Sequence, residues 1–111
     1  MSARAQVMRP EARRRAVTAS AQREARSWKE QFESISASLD PRMRSGVGLA
    51  AKLEELRHRI ETLATKARGL AHHSGEGWKR ARVDYLRARN EVSTTWRTLL
   101  GLLEREAAPV R

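Results

Sequence analysis

Leu49, Leu53, Leu56, Ile60, Leu63, Ala67 and Leu70 follow one another in steps of four and three without a slip. This spacing keeps all seven on one face of an α-helix, and almost every position between them is polar, charged or small. The segment has one side for a partner helix and one side for water. A second stripe, Ala21, Ala25, Trp28, Phe32, Ile35 and Leu39, has the same rhythm. Pro10 suits a first helical position, Glu11 favours the positive end of the helix dipole, and Asp40-Pro41 ends the run. The amino-terminal half of this stripe holds only small residues, so it either packs closely or frays. A third stripe carries Trp78, Ala81, Tyr85, Ala88, Val92, Trp96, Leu99 and Leu103.

Between the second and third segments lies His72-His73-Ser74-Gly75-Glu76-Gly77, with an N-cap candidate in Ser74 and two helix-weakening glycines. The composition reads as a turn, yet the eleven residues from Ala67 to Trp78 span close to three helical turns, so an unbroken helix would keep its stripe aligned. Three segments of about 30 residues, each about 45 Å long if fully helical, suit an up-down-up bundle. The pattern predicts an all-α fold, an antiparallel bundle of three helices rather than a coiled-coil hairpin with one long arm. Residues 1–111 form one helical domain: a flexible basic arm over 1–9, helices over about 10–39, 49–73 and 76–105, and a tail over 106–111. The packing core is expected at Trp28, Phe32, Ile35, Leu39, Leu49, Leu53, Leu56, Ile60, Leu63, Leu70, Tyr85, Val92, Trp96, Leu99 and Leu103. No stripe can stand alone against the entropy of ordering its helix, so the helices share partners within the chain or across a homo-oligomer.

Charge adds a second signal. Against 13 acidic residues stand 23 basic ones, a net charge of +10, which calls for an acidic partner. Nearly all the basic residues are arginines, whose planar fork suits phosphate or carboxylate, although a genome rich in G and C produces the same bias. There is no cysteine, hence no disulfide framework and no thiolate metal site. The apolar runs are far too short to span a membrane. The first residues lack the apolar core of a secretory signal, and their Arg-rich, Ala-rich character leaves a transit peptide as the alternative to a cytoplasmic location.

Candidate chemistry is thin. His58, His72 and His73 are the only side chains that titrate near neutrality, and they read as surface or loop histidines. His72 and Glu76 would share a helical face only if the helix ran through Ser74-Gly75, and no third metal ligand accompanies them. Glu54-Glu55 reads as a pair of solvated ion-pair partners, since adjacent helical residues face different ways. Phosphate-loop, nucleophile-elbow and zincin motifs are missing from the sequence. No catalytic residue, cofactor or metal is expected.

Trp28 and Trp96 read as core. Trp78 has packing against the ladder as its first reading, but it stands beside Lys79, Arg80 and Arg82, where it could also stack on a base or sit at a membrane surface. Two basic clusters remain. Arg13, Arg14 and Arg15 splay round a helix as a collar. Lys79, Arg80, Arg82, Arg87 and Arg89 are more ordered, because Arg80 and Arg87, like Arg82 and Arg89, stand seven apart and form basic stripes. The candidate partner-binding set is Arg13, Arg14, Arg15, Trp78, Lys79, Arg80, Arg82, Arg87 and Arg89; its bland alternative is a solvated face.

Leu53-Glu54-Glu55-Leu56-Arg57, the helix to Leu70, Ser74-Gly75-Glu76-Gly77-Trp78 and a further helix with Trp96 resemble the tail of a group of small bacterial coiled-coil proteins without an assigned activity, over about half the chain. The resemblance implies a cytoplasmic helical scaffold and no chemistry. The expected function is a non-enzymatic helical interaction protein, self-associating, that docks a basic surface on an acidic protein partner. The alternatives are a sequence-independent nucleic-acid-binding protein and a peripheral membrane-surface or coat protein.

Overall fold

The computed structural model describes residues 9–39, 41 and 47–107. Residues 1–8 of the expected basic arm over 1–9, a capping role for Asp40 and residues 108–111 of the expected tail over 106–111 lie outside the described residues. Three helices run in order: α1, Pro10–Ser38; α2, Val47–Gly69; and α3, Gly75–Ala107. There is no strand among the described residues. Thr18 lies against Trp78 and Trp28 against Trp96, so α1 and α3 run parallel. Arg59 reaches Glu91, and Gln22 lies near Ala67 while Phe32 lies near Ile60, so α2 is antiparallel to both. The result is an up-down-up bundle 67 Å long.

Pro10 opens α1 as the spacing predicts, with the Arg9 carbonyl accepting the first intrahelical bond from the Arg13 amide at 2.9 Å. Leu39, in extended backbone just ahead of Asp40-Pro41, closes it. A 3-10 turn over Leu70–His72 ends α2, and extended His73 follows. The chain therefore breaks between Ala67 and Trp78 rather than continuing as one helix. Gly75 opens α3 at φ +55°, a left-handed conformation that a side chain would strain, although no atom lies within 4 Å of where a Cβ would stand. Backbone conformation, and not crowding, makes glycine the residue for this corner. The Ser74 carbonyl then accepts the Trp78 amide at 3.2 Å, which places Ser74 in the N-cap position its composition indicates.

The core is the ladder of α2 closed by the stripe of α3. Leu56, Leu63, Val92 and Leu99 are fully enclosed, and Leu49, Ile60, Ala67, Leu70, Trp78, Tyr85 and Ala88 are buried beside them. The contribution of α1 is different. Its only buried side chains are Ala21 and Ala25, whereas Trp28, Phe32, Ile35 and Leu39 pack against the core half-covered, as do Leu53, Trp96 and Leu103. The small-residue half of α1 therefore packs closely, through Ala21 and Ala25. Bulky aromatics are rarely enclosed completely by so few neighbours. Trp28 and Trp96 instead meet edge to face, with ring centroids 5.7 Å apart, across the mouth of the α1/α3 seam.

Candidate interaction surface

The three seams between the helices use their charges in different ways. Along α2 an ion-pair lattice runs from Lys52 to Glu55 at 2.6 Å, from Arg57 to both Glu54 and Glu61, and from Arg59 to Glu55 at 3.4 Å. Arg59 also crosses to Glu91 of α3 at 2.9 Å, so the α2/α3 seam, floored by Thr94, Thr95 and Thr98, is tied by a cross-helix pair. The hydrogen bond from the Arg57 guanidinium holds the Glu54 carboxyl below its ordinary range, and the Lys52 ammonium does the same for Glu55. Glu54 and Glu55 are thus the ion-pair partners that their helical neighbours predict.

On the α1/α3 seam, Arg89 approaches Glu24 at 3.7 Å and the Arg82 guanidinium lies 5.8 Å from the centre of the Trp78 ring. The Trp78 indole N–H donates to the Thr18 hydroxyl at 3.3 Å, and the Tyr85 hydroxyl donates to the Ala21 carbonyl at 3.4 Å. Burial pushes the Tyr85 phenol up to about 12, with the charge of Glu24 adding to the shift and that of Arg89 opposing it. The folded state favours the neutral phenol, so this stabilisation is complete below the unfolded value of about 10 and is lost as pH rises through about 12. Tyr85 is the only tyrosine, so ultraviolet titration of the phenolate reads it alone. We expect a midpoint near 12 in the folded protein and near 10 in denaturant. A folded midpoint near 10 would mean that α1 does not cover the ring.

The α1/α2 seam has no ion pair across it among the described residues. Its central stretch is a groove of about 360 Å³ lined by Gln22, Ala25, Arg26, Lys29, Ala64, Ala67 and Arg68, with three cations and no carboxylate. Lys29, Ala64 and Arg68 also line a neighbouring groove of about 330 Å³, where Phe32 and Ile60 form the floor and Glu33, Arg57 and Glu61 stand at the rim. Arg26, Lys29 and Arg68 are exposed.

The residues singled out by the sequence fall into different settings. Arg14, Arg15 and Trp78 line one depression at the end of the bundle, beside Glu11, His73 and Ser74, while the cations of the α3 cluster lie outside it. Trp78 itself is 8% exposed, and its N–H is satisfied by the Thr18 hydroxyl. The Arg82 guanidinium lies 5.8 Å from the centre of its ring, and its N–H edge meets Thr18 of α1. Arg82 and Arg89 turn to the α1 seam and are engaged there. Arg13, Arg15, Lys79, Arg80 and Arg87 are exposed, Arg14 partly so. Lys79 pairs with Glu76 at 3.1 Å, and Arg87 stands 4.0 Å from Asp84. His72 and Glu76 are separated by the chain break, so the helical spacing that a shared metal would need does not form. Sequence reasoning missed Arg26, Lys29 and Arg68: the first two stand three apart on α1, and Arg68 joins them only when α1 and α2 lie antiparallel.

No protein-family model matches the chain, and no curated protein or solved structure is significantly similar to it.

Proposed function

We propose that the protein is a non-enzymatic cytoplasmic interaction module, a helical scaffold that docks its basic surface on an acidic partner protein. The carrying observation is an asymmetry in pairing. Among the described acids, Glu24, Glu54, Glu55, Glu61, Glu76, Asp84 and Glu91 stand within ion-pair distance of a cation of the same chain, and Glu11, Glu30, Glu33 and Glu104 do not. The cations without an ion pair to another described residue are more numerous and include Arg13, Arg15, Arg23, Arg26, Lys29, Arg80 and Arg97. The surplus of +10 therefore acts outward, and attraction of an acidic surface follows from it. The resemblance to small bacterial coiled-coil proteins without an assigned activity fits the same role. Self-association remains part of the proposal, but its original motive is weaker, because the α2 ladder finds its partner within the chain.

A second reading, sequence-independent nucleic-acid binding, draws on the exposed stripe of Arg80 and Arg87. Salt titration separates the two. If phosphate contact is the role, affinity for mixed-sequence duplex falls linearly in log-log with salt, and neutralising Arg80 and Arg87 shrinks the slope by up to about 2. For protein docking we expect negligible duplex binding at about 0.15 M salt, while an acidic partner persists because apolar burial accompanies its charges. Micromolar or tighter binding to random duplex at that salt would reject the protein-docking proposal.

A further inference from the structure

We propose that the α1/α2 groove is the docking site for an acidic amphipathic helix of a partner protein. The helix lies along the groove as a fourth member of the bundle, with small apolar side chains on the alanine floor and carboxylates against Arg26, Lys29 and Arg68. This inference rests on the acidic-partner reading above and gives it an address.

Charge complementarity carries the choice of seam. The α2/α3 seam is closed by the pair between Arg59 and Glu91, and the α1/α3 seam by Arg89 with Glu24 and by Arg82 over Trp78. The α1/α2 seam holds three cations in one groove whose lining has no carboxylate, Glu33 and Glu61 standing in the neighbouring groove that Lys29 and Arg68 share. The Arg68 guanidinium reaches no acid and donates instead to the Thr65 hydroxyl at 3.2 Å. Three like charges on one groove repel one another, and carboxylates arriving along it relieve that repulsion.

The floor carries the choice of occupant. Ala25, Ala64 and Ala67 line the groove, Ala25 and Ala67 buried and Ala64 partly open, so no bulky side chain fills it and a guest backbone can approach closely. Beyond Lys29 the half-buried Phe32 ring adds the larger apolar surface that a guest helix can cover. From Gln22 to Phe32 the groove follows ten residues of α1, about 15 Å, which is nearly three turns of a guest helix. A nucleic-acid backbone would use the cations and leave the apolar floor idle. A second copy of this chain, itself at +10, brings the wrong sign of charge.

The test is a displayed library of amphipathic helices about 20 residues long. Its members have glutamate on both flanks and Ala, Leu, Ser or Val varied along the contact stripe, and a matched library carries lysine flanks. Both are selected against the full chain. We expect acidic helices to enrich and lysine-flanked ones not to. The reversal Arg26→Glu, Lys29→Glu and Arg68→Glu should weaken the selected helices at least about tenfold and transfer binding to their lysine-flanked versions. Arg80→Glu with Arg87→Glu should leave affinity within about twofold. Ala64→Met, which fills the floor without changing charge, should also weaken binding, and it keeps the proposal testable if the triple reversal does not fold. Acidic helices whose binding survives both groove variants and is lost with the α3 reversal would overturn the groove and leave the acidic-partner reading standing. Failure of any acidic helix to enrich would overturn both, whether or not duplex DNA binds.

Discussion

Leu56→Asp and Leu63→Asp should each leave the protein unfolded at room temperature, while Arg57→Ala should cost less than about 1 kcal/mol. Both leucines are fully enclosed, one turn either side of Ile60. Truncating a buried leucine costs about 2–5 kcal/mol in lost contacts and cavity, and the aspartate adds an ionised group with no cation beside it in the core. A domain of this size is stable by about 5–15 kcal/mol, so the sum consumes much or all of the margin. Arg57 stands on the opposite side of the argument. Its pairs with Glu54 and Glu61 are solvent-exposed, and an exposed pair within one helix contributes only a few tenths of a kcal/mol. Circular dichroism at rising urea concentration reads the difference. If the leucine variants melt with Arg57→Ala, the face of α2 that meets α3 has been assigned wrongly.

How far the sequence revealed this fold depended on how local each cause was. The ladder of α2 was legible because every third or fourth residue repeats its evidence, and those positions are the ones buried or half-buried in the bundle. The break before α3 was ambiguous for a physical reason: the apolar phase runs through residues 67–78 as if uninterrupted, and only Gly75, which alone takes φ +55° without strain, decides for a corner. The half-buried state of Trp28 and Phe32 could not be read, since it depends on how many neighbours surround a large ring and not on spacing. Thr95, buried at 5% exposure one turn from both Val92 and Leu99, was likewise invisible because a hydroxyl does not advertise a core position. The candidate surface was legible where cations adjoin in sequence and hidden where they adjoin only in space. Arg13, Arg14 and Arg15 announce themselves; Arg26, Lys29 and Arg68 do not.

Trp78→Ala should destabilise the protein by about 3–4 kcal/mol, a value typical of truncating a buried aromatic, and should loosen α1 before the other helices. The fully enclosed large apolar residues Leu56, Leu63, Leu70, Val92 and Leu99 belong to α2, the turn that ends it and α3, whereas α1 buries only two alanines. Attachment of α1 therefore depends on side chains reaching to it from the hairpin, and Trp78 is the largest buried one, its N–H on Thr18. Tyr85 on Ala21 and the edge-to-face pair of Trp96 with Trp28 complete the contact. Removing the indole takes away the largest of these apolar surfaces, strands the Thr18 hydroxyl and leaves Arg82 without its ring partner. Amide hydrogen exchange gives the sharper reading. In the wild-type protein the amides of residues 14–34 should exchange faster than those of residues 53–67 and 85–99, and Trp78→Ala should raise the α1 rates at least tenfold more than the α2 and α3 rates. Arg82→Ala, which removes only the cation over the ring, should change stability by about 0.5–1 kcal/mol and leave that ranking intact. Equal loss of protection in all three helices would mean that the bundle opens as one cooperative unit, with α1 anchored by more than these contacts.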